Sequence, residues 1–277
     1  MTSPNFNQFT ELPKALLFDV FGTTVNWRKT VVTTLIQNAS IQKVAPSVPS
    51  TGKSGLSQAT HDRLNKMSES DWGTFAQEWR DSYKKFTREF VPGESEWQDV
   101  DTHHHQSLIS LLKKWELEGV YTDQEVQTLS QVWHYLEPWA DTSAGLEILG
   151  SKMVTSSLSN GNPSLLQDLK KHGKLGFKKL QSSADFEAYK PHPKVYLGAV
   201  KALGLQPREV AMVAAHLNDL KAARDCGLRT IYVERREEED WKTESEEYRD
   251  AITWVDMWVS EKEDGFVEVA KRLGVVN

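Results

Sequence analysis

One cysteine, Cys226, stands among the 277 residues. Its isolation excludes an intramolecular disulfide and a zinc site built from several cysteines, and it fits a reducing compartment. No stretch approaches the ~20 apolar residues that a membrane-crossing helix needs. The polar segment from Met1 to Thr10 also lacks the apolar core of a secretory leader, so a soluble, cytoplasmic protein is the expectation. Positive charge is in short supply as well. Lys and Arg number 33 against 39 Asp and Glu, a net charge of −6. No long basic stripe interrupts that balance, so binding to nucleic acid or to an anionic membrane has no electrostatic support. The expected partner is a small molecule.

What is present is enough apolar material, 39% of the residues, to bury one large core together with a smaller unit. The most informative stretch is Phe18-Asp19-Val20-Phe21-Gly22-Thr23, which follows the apolar run Ala15-Leu16-Leu17. An ionised carboxylate at the end of a buried strand is costly to desolvate unless donors or charges surround it. Its place just before a sharp turn at Gly22 points to chemistry.

Residues 28–137 read as helical. Trp72, Phe75, Trp79, Tyr83, Phe86 and Phe90 recur at spacings of three and four, one face of a helix, which predicts core packing with Arg80 as the cation of any pocket that the stripe lines. The loop at 44–55 contains Thr51-Gly52-Lys53-Ser54, but the first glycine of a phosphate loop is missing and no strand leads into it. His103, His104 and His105 are consecutive, so on a helix their side chains diverge and a three-histidine metal site is not expected.

From Thr142 the texture alternates. Helices are predicted at 143–149, 163–172, 193–203, 217–225 and 265–273, and strands at 152–158, 179–182, 210–214, 229–233 and 254–259. Such alternation implies an α/β fold with a doubly wound, mostly parallel, Rossmann-like sheet. The strand from Ala15 belongs to that sheet. Residues 1–27 and 138–277 then form the core, and residues 28–137 are an inserted helical cap domain. Ligands of open parallel sheets sit beyond the carboxyl ends of the strands, where Asp19, Ser159-Asn160 and the segment His216 to Asp219 converge.

Four segments, "FDVFGT" at 18–23, "LSNGN" at 158–162, "YKPHPKVY" at 189–196 and "AAHLNDL" at 214–220, resemble in order and spacing the motifs of the haloacid dehalogenase superfamily. The likeness is nearest to its type II 2-haloacid dehalogenases and covers nearly the whole chain. It implies that Asp19 is a carboxylate nucleophile, a group able to form a covalent ester. Lys190 would keep Asp19 ionised, since a nearby ammonium lowers a carboxylate pKa; the bland alternative is a solvated surface lysine. Ser159, Asn160 and the backbone amides around Gly22 and Thr23 would donate to a substrate carboxylate or to Asp19. Arg80, in "EWRDSY" at 78–83, would meet the halide or the substrate carboxylate. Phe21, Tyr196 and Asn218 complete the substrate-binding set by the same resemblance.

The phosphatases of the superfamily carry a second aspartate two residues after the nucleophile, where this chain has Phe21, a ring that cannot donate a proton. They also carry an acidic Mg²⁺ ligand four residues before Asp219, where this chain has Ala215. Halide leaves without protonation, so the two losses agree with each other and with a reaction that needs no metal and no cofactor. Two departures from the dehalogenase pattern stand out. Serine is replaced around Ala214 and Ala215, and asparagine by His216, which could serve as a base with Asp219 for the hydrolytic water. The expectation is a metal-independent conversion of a 2-haloalkanoic acid to a 2-hydroxyalkanoic acid, with a small carboxylate and halide as ligands. A homodimer is left open, and the alternatives are a small-molecule phosphatase or a catalytically idle binding relative.

Overall fold

The computed structural model describes residues 6–44 and 56–276, so the Thr51–Ser54 tetrapeptide lies outside the described residues. Ala15–Phe18 forms strand β2, and all four of its side chains are buried. It lies between β3 (Val154–Ser157) and β4 (Val210–Ala214) and runs parallel to both. Beyond β4 come β5 (Arg229–Val233) and β6 (Met257–Val259), also parallel. A two-residue edge strand, β1 (Phe6–Asn7), pairs antiparallel with β6, giving the order β1-β6-β5-β4-β2-β3. The expected α/β sheet, doubly wound and mostly parallel, is what the chain forms.

Register decides what the sheet presents at its end. Phe18 pairs with Val213 on one side and Ser157 on the other. The ladder continues one step, with Asp19 N–H donating to Val213 O at 3.0 Å and Leu158 N–H to Phe18 O at 2.8 Å. Asp19, Ser159-Asn160 and Ala215-His216 therefore leave the sheet side by side.

Between β2 and β3 the chain is helical: α1 (Trp27–Val44), α2 (Gln58–Lys66), α3 (Glu69–Glu89), α4 (Val100–Lys114), α5 (Asp123–Ser130), a single turn at Gln131–His134, then α6 (Thr142–Gly150). Helix α3 starts at a capping box in which the Ser68 and Asp71 side chains each accept the other's backbone N–H. Its buried stripe is Trp72, Phe75, Ala76, Trp79, Arg80, Tyr83 and Thr87, so the aromatic periodicity packs the core as expected and carries one arginine inward with it. His103 stacks on Phe86 at 4.4 Å and His104 on Trp133 at 4.5 Å, so the adjacent rings do diverge.

The remaining helices are α7 (Pro163–His172), α8 (Pro193–Ala202), α9 (Leu217–Asp225), α10 (Glu246–Trp254) and α11 (Gly265–Arg272). Two expectations need correction. The strand predicted at 179–182 is reduced to isolated bridges, Ser156 with Lys179 and Ser159 with Ser182, because its backbone is drawn off into bonds with the Thr155 carbonyl and the Ser157 hydroxyl. The strand predicted from Trp254 begins only at Met257, because Trp254 closes α10, a helix that Ser245 caps.

Candidate active site

Asp19 sits at the mouth of the sheet, only 7% exposed, with both carboxylate oxygens engaged. Lys190 Nζ donates to Oδ1 at 2.8 Å, and Thr23 Oγ1 donates to Oδ2 at 2.6 Å. His216 Nδ1 lies 3.2 Å from the same Oδ2. Thr23 is itself held, since its hydroxyl accepts the Ala215 N–H at 2.9 Å. Burial alone would raise the Asp19 carboxyl, but the Lys190 charge and the His216 hydrogen bond outweigh it and hold the group far below the ordinary carboxylate range. The nucleophile candidate is thus an anion whose plane is fixed by three donors.

Lys190 is buried too, and its ammonium bridges Asp19 to Asp219 Oδ2 at 2.7 Å. Burial would lower its pKa; the two carboxylates reverse that and raise it well above the usual lysine value. Asn160 fixes the backbone of Lys190, its Oδ1 accepting the Lys190 N–H at 2.8 Å and its Nδ2 donating to the Lys190 carbonyl at 3.3 Å. Tyr196 Oη donates to the other oxygen of Asp219 at 2.5 Å. The surface-lysine alternative for Lys190 does not describe this geometry.

His216, expected as a base for the later hydrolytic step, is flanked by carboxylates in the resting site. Burial would lower its pKa, but hydrogen bonding and charge from Asp19 and Glu238 push it up to about 9. At neutral pH it is a cation and a donor, and it has no free lone pair with which to act as a base while Asp19 is ionised.

Arg80 reaches over from α3. Its guanidinium lies 5.5 Å from the Phe21 ring and 4.7 Å from the Tyr83 ring, and Nη2 donates to the Phe21 carbonyl at 3.3 Å. Nε and Nη1 are buried and find no acceptor among the described residues. A buried guanidinium left with open donors is a ready anion site. The cavity beneath it, about 600 Å³ including its open mouth, is lined by Asp19, Arg80, Tyr83, Asn160, Lys190, Tyr196, His216, Asn218 and Asp219, with Lys84, Arg88 and Asp240 among the other lining residues.

Four expected substrate contacts sit behind this surface. Ser159 is fully buried, and its hydroxyl accepts the Gly161 N–H at 3.1 Å, bracing the turn instead of facing the cavity. Phe21 lies under Arg80 as a platform. Thr23 touches Asp19 from the side of the sheet. The Gly22 N–H is spent on the Val25 carbonyl at 3.0 Å, so it does not point at a ligand. Gly22 has φ +87°, where any other residue would be strained, and a Cβ there would lie 2.0 Å from Glu238 Oε2, so a substitution would also have to displace that carboxylate.

Glu238 is the residue that sequence reasoning missed. It is 4% exposed, accepts the Trp27 indole N–H at 3.1 Å, and places Oε2 3.4 Å from His216 Nε2. It belongs to the charged run Arg235 to Asp240, which has no periodicity that would mark it as buried.

A family model described as haloacid dehalogenase-like hydrolase matches residues 13–227. An (S)-2-haloacid dehalogenase 4A of Burkholderia cepacia is 33% identical over 111 residues, 39% of this chain and 48% of that protein. A glyceraldehyde 3-phosphate phosphatase of Pyrococcus furiosus is 34% identical over 71 residues, 25% of this chain and 30% of that one. The chain spans about half the length, or less, of these curated relatives. The crystal structure of a defluorinating L-2-haloacid dehalogenase superposes with a TM-score of 0.76 at 27% identity, covering 98% of this chain and 100% of that one. No helix among the described residues is long and apolar enough to cross a membrane. With the Asp19 turn, the bridging Lys190 and Asp219 all inside the matched segment, the chain belongs to the haloacid dehalogenase-like hydrolase family.

Proposed function

We propose that the protein is a metal-independent 2-haloacid dehalogenase in which residues 28–137 act as a cap over Asp19. The observation that carries this reading is the occupancy of the oxygens around the nucleophile. Asp19 Oδ1, Asp219 Oδ2 and the Phe21 carbonyl each already accept an N–H from Lys190 or Arg80. An ammonium and a guanidinium supply the positive charge that a metal would otherwise bring. Phe21, buried and apolar, offers no proton to an alkoxide leaving group, whereas halide needs none.

In this reading the substrate carboxylate or the departing halide meets the open donors of Arg80. An Asp19 oxygen attacks the halogen-bearing carbon in line. The new C–O bond forms as the C–halogen bond breaks, leaving an aspartyl ester and a halide ion with inversion at carbon. Esterification removes the charge of Asp19, and with it one of the two carboxylates that hold the proton on His216. The imidazolium then loses that proton to solvent, and the imidazole, with Asp219 beside it, takes a proton from the water that attacks the Asp19 carboxyl carbon. The adduct then breaks its bond to the ester oxygen, which takes the remaining proton of the attacking water, giving the 2-hydroxy acid and returning Asp19 to its anionic form beside a protonated His216.

The direct test is halide release from a panel of short 2-haloacids, with and without chelator. Release that chelator leaves unchanged supports the reading. Phosphate release from small phosphoesters that strictly requires Mg²⁺ would replace it with the phosphatase reading. Asp19→Asn is nearly isosteric and should abolish turnover while leaving the circular dichroism spectrum and melting temperature close to wild type.

A further inference from the structure

We propose that Glu238 is a positioning residue of this site, its carboxylate facing the His216 ring from the side opposite Asp19 and holding the ring's orientation and charge. The inference rests on the reading of Asp19 as nucleophile only for its catalytic meaning; its geometry stands alone. Glu238 Oε2 lies 3.4 Å from His216 Nε2, an ion-pair distance, while Nδ1 lies 3.2 Å from Asp19. The imidazole thus stands between two buried carboxylates, hydrogen-bonded to Asp19 through Nδ1, while Nε2 has the Glu238 carboxylate at ion-pair distance and no aligned hydrogen bond among the described residues.

Glu238 is fixed in turn. The Trp27 indole N–H binds the same oxygen, and the missing side chain at Gly22 opens the space that the oxygen fills. Its Oε1 is buried without a hydrogen-bond partner among the described residues, which is costly for a group that serves structure alone. A buried carboxylate bearing that cost is better explained by the charge it neutralises.

Other charges face His216 as well. Glu239 and Asp240 follow in the same loop, and Asp219, Lys190 and Arg80 line the same cavity. Around His216, the buried carboxylates of Asp19, Asp219 and Glu238 stand against Lys190 and Arg80, and Arg235, also buried, is paired with Asp141. Removing Glu238 takes one opposite charge away from the histidine, and an opposite charge at this range favours the protonated ring.

The test is an NMR titration of the His216 ring, its signal assigned by its loss in His216→Gln. Wild type should titrate near pH 9; a midpoint at the ordinary histidine value of 6.5 would overturn the proposal whatever the variants do. In Glu238→Gln the midpoint should fall by at least about one pH unit, the scale of a close opposite charge. Trp27→Phe removes the other hydrogen bond to Glu238 but keeps the carboxylate, and should leave the midpoint within a few tenths of a unit. An unmoved midpoint in Glu238→Gln, or an equal fall in both variants, would make Glu238 a purely structural residue. The titration reads the resting protein, so its result stands whether or not any haloacid turns over, and halide release judges the other reading separately.

Discussion

Arg80 is 4% exposed, and its guanidinium is sandwiched among aromatic rings with two nitrogens unspent. Desolvation strengthens what such a group can do for an anion, and the planar fork gives that binding a direction. Arg80→Lys keeps the charge but loses the fork. Binding of a carboxylate or halide should weaken by about 1.5–3 kcal/mol, the worth of a charge-assisted hydrogen bond. Inhibition constants for non-reactive carboxylates measure this directly, and constants within twofold of wild type would place the anion elsewhere. The periodic stripe of α3 announced the position of Arg80. That its donors would remain open could not be read from periodicity, because it depends on which acceptors the opposite wall brings within reach.

Among the elements, the loop after β5 does the most with the least signal. In Arg235 to Asp240 the successive charges go to different partners. Arg235 forms a bidentate pair with Asp141 at 2.6 and 2.8 Å and donates to the Thr23 carbonyl at 3.1 Å. Glu237 pairs with Arg28, Glu239 accepts the Leu217 N–H that opens α9, and Asp240 meets Lys84 of α3 at 2.7 Å. A single loop thereby ties the helical segment to the sheet around the cavity. The Lys84–Asp240 pair is partly exposed, so it contributes little to stability, of the order of 0–1 kcal/mol. Its place on the cavity rim matters more. Asp240→Asn removes a negative charge there and frees Lys84, so kcat/KM for an anionic substrate should rise several-fold at low ionic strength. The gain should vanish at about 1 M salt, where the Debye length is ~3 Å. A gain that ignores salt would rule out electrostatic steering.

Element boundaries show the same division. The predicted β4, β5 and α9 coincide with those observed, because each is a short apolar run or amphipathic helix bounded by clear punctuation. Residues 246–254 form a helix that was not anticipated, and Trp254, expected to open a strand, ends it. Strand β1 escaped as well. Two residues carry no period, and only the open edge of β6 makes them a strand.

For the molecule as a whole, sheet and helical segment share one apolar body. The buried cluster runs from Leu16 and Phe18 of β2 through Phe21, Val25 and Trp27 to Trp133, Trp79 and Trp72. Trp133 is its hinge point, stacked on Trp27 at 5.9 Å and His104 at 4.5 Å and meeting Trp79 edge-on at 5.4 Å. Continuity of this kind favours a single cooperative unfolding transition. Tryptophan fluorescence and far-ultraviolet circular dichroism should give coincident melting curves. Trp133→Ala should lower stability by about 3–5 kcal/mol, the usual cost of deleting a buried large aromatic side chain. Two resolved transitions in wild type would show instead that the helical segment and the sheet unfold separately.

By itself the sequence determined the α/β alternation, the strand that delivers Asp19 and the inward stripe of α3, and its ordered motifs, by resemblance, marked Lys190 as the partner of Asp19. Those features are written in local period, in apolar runs and in ordered motifs, all of which survive without knowing what lies opposite. Only the tertiary structure decided that His216 stands between the carboxylates of Asp19 and Glu238, that Ser159 faces a turn and that Glu238 lies against Gly22. Each of those outcomes depends on distances between segments far apart in the chain: Glu238 and Trp27 are 211 residues apart and His216 and Asp19 are 197 apart. Protonation and burial follow from such distances, through Coulomb attraction and lost solvation, and neither leaves a mark on local sequence pattern.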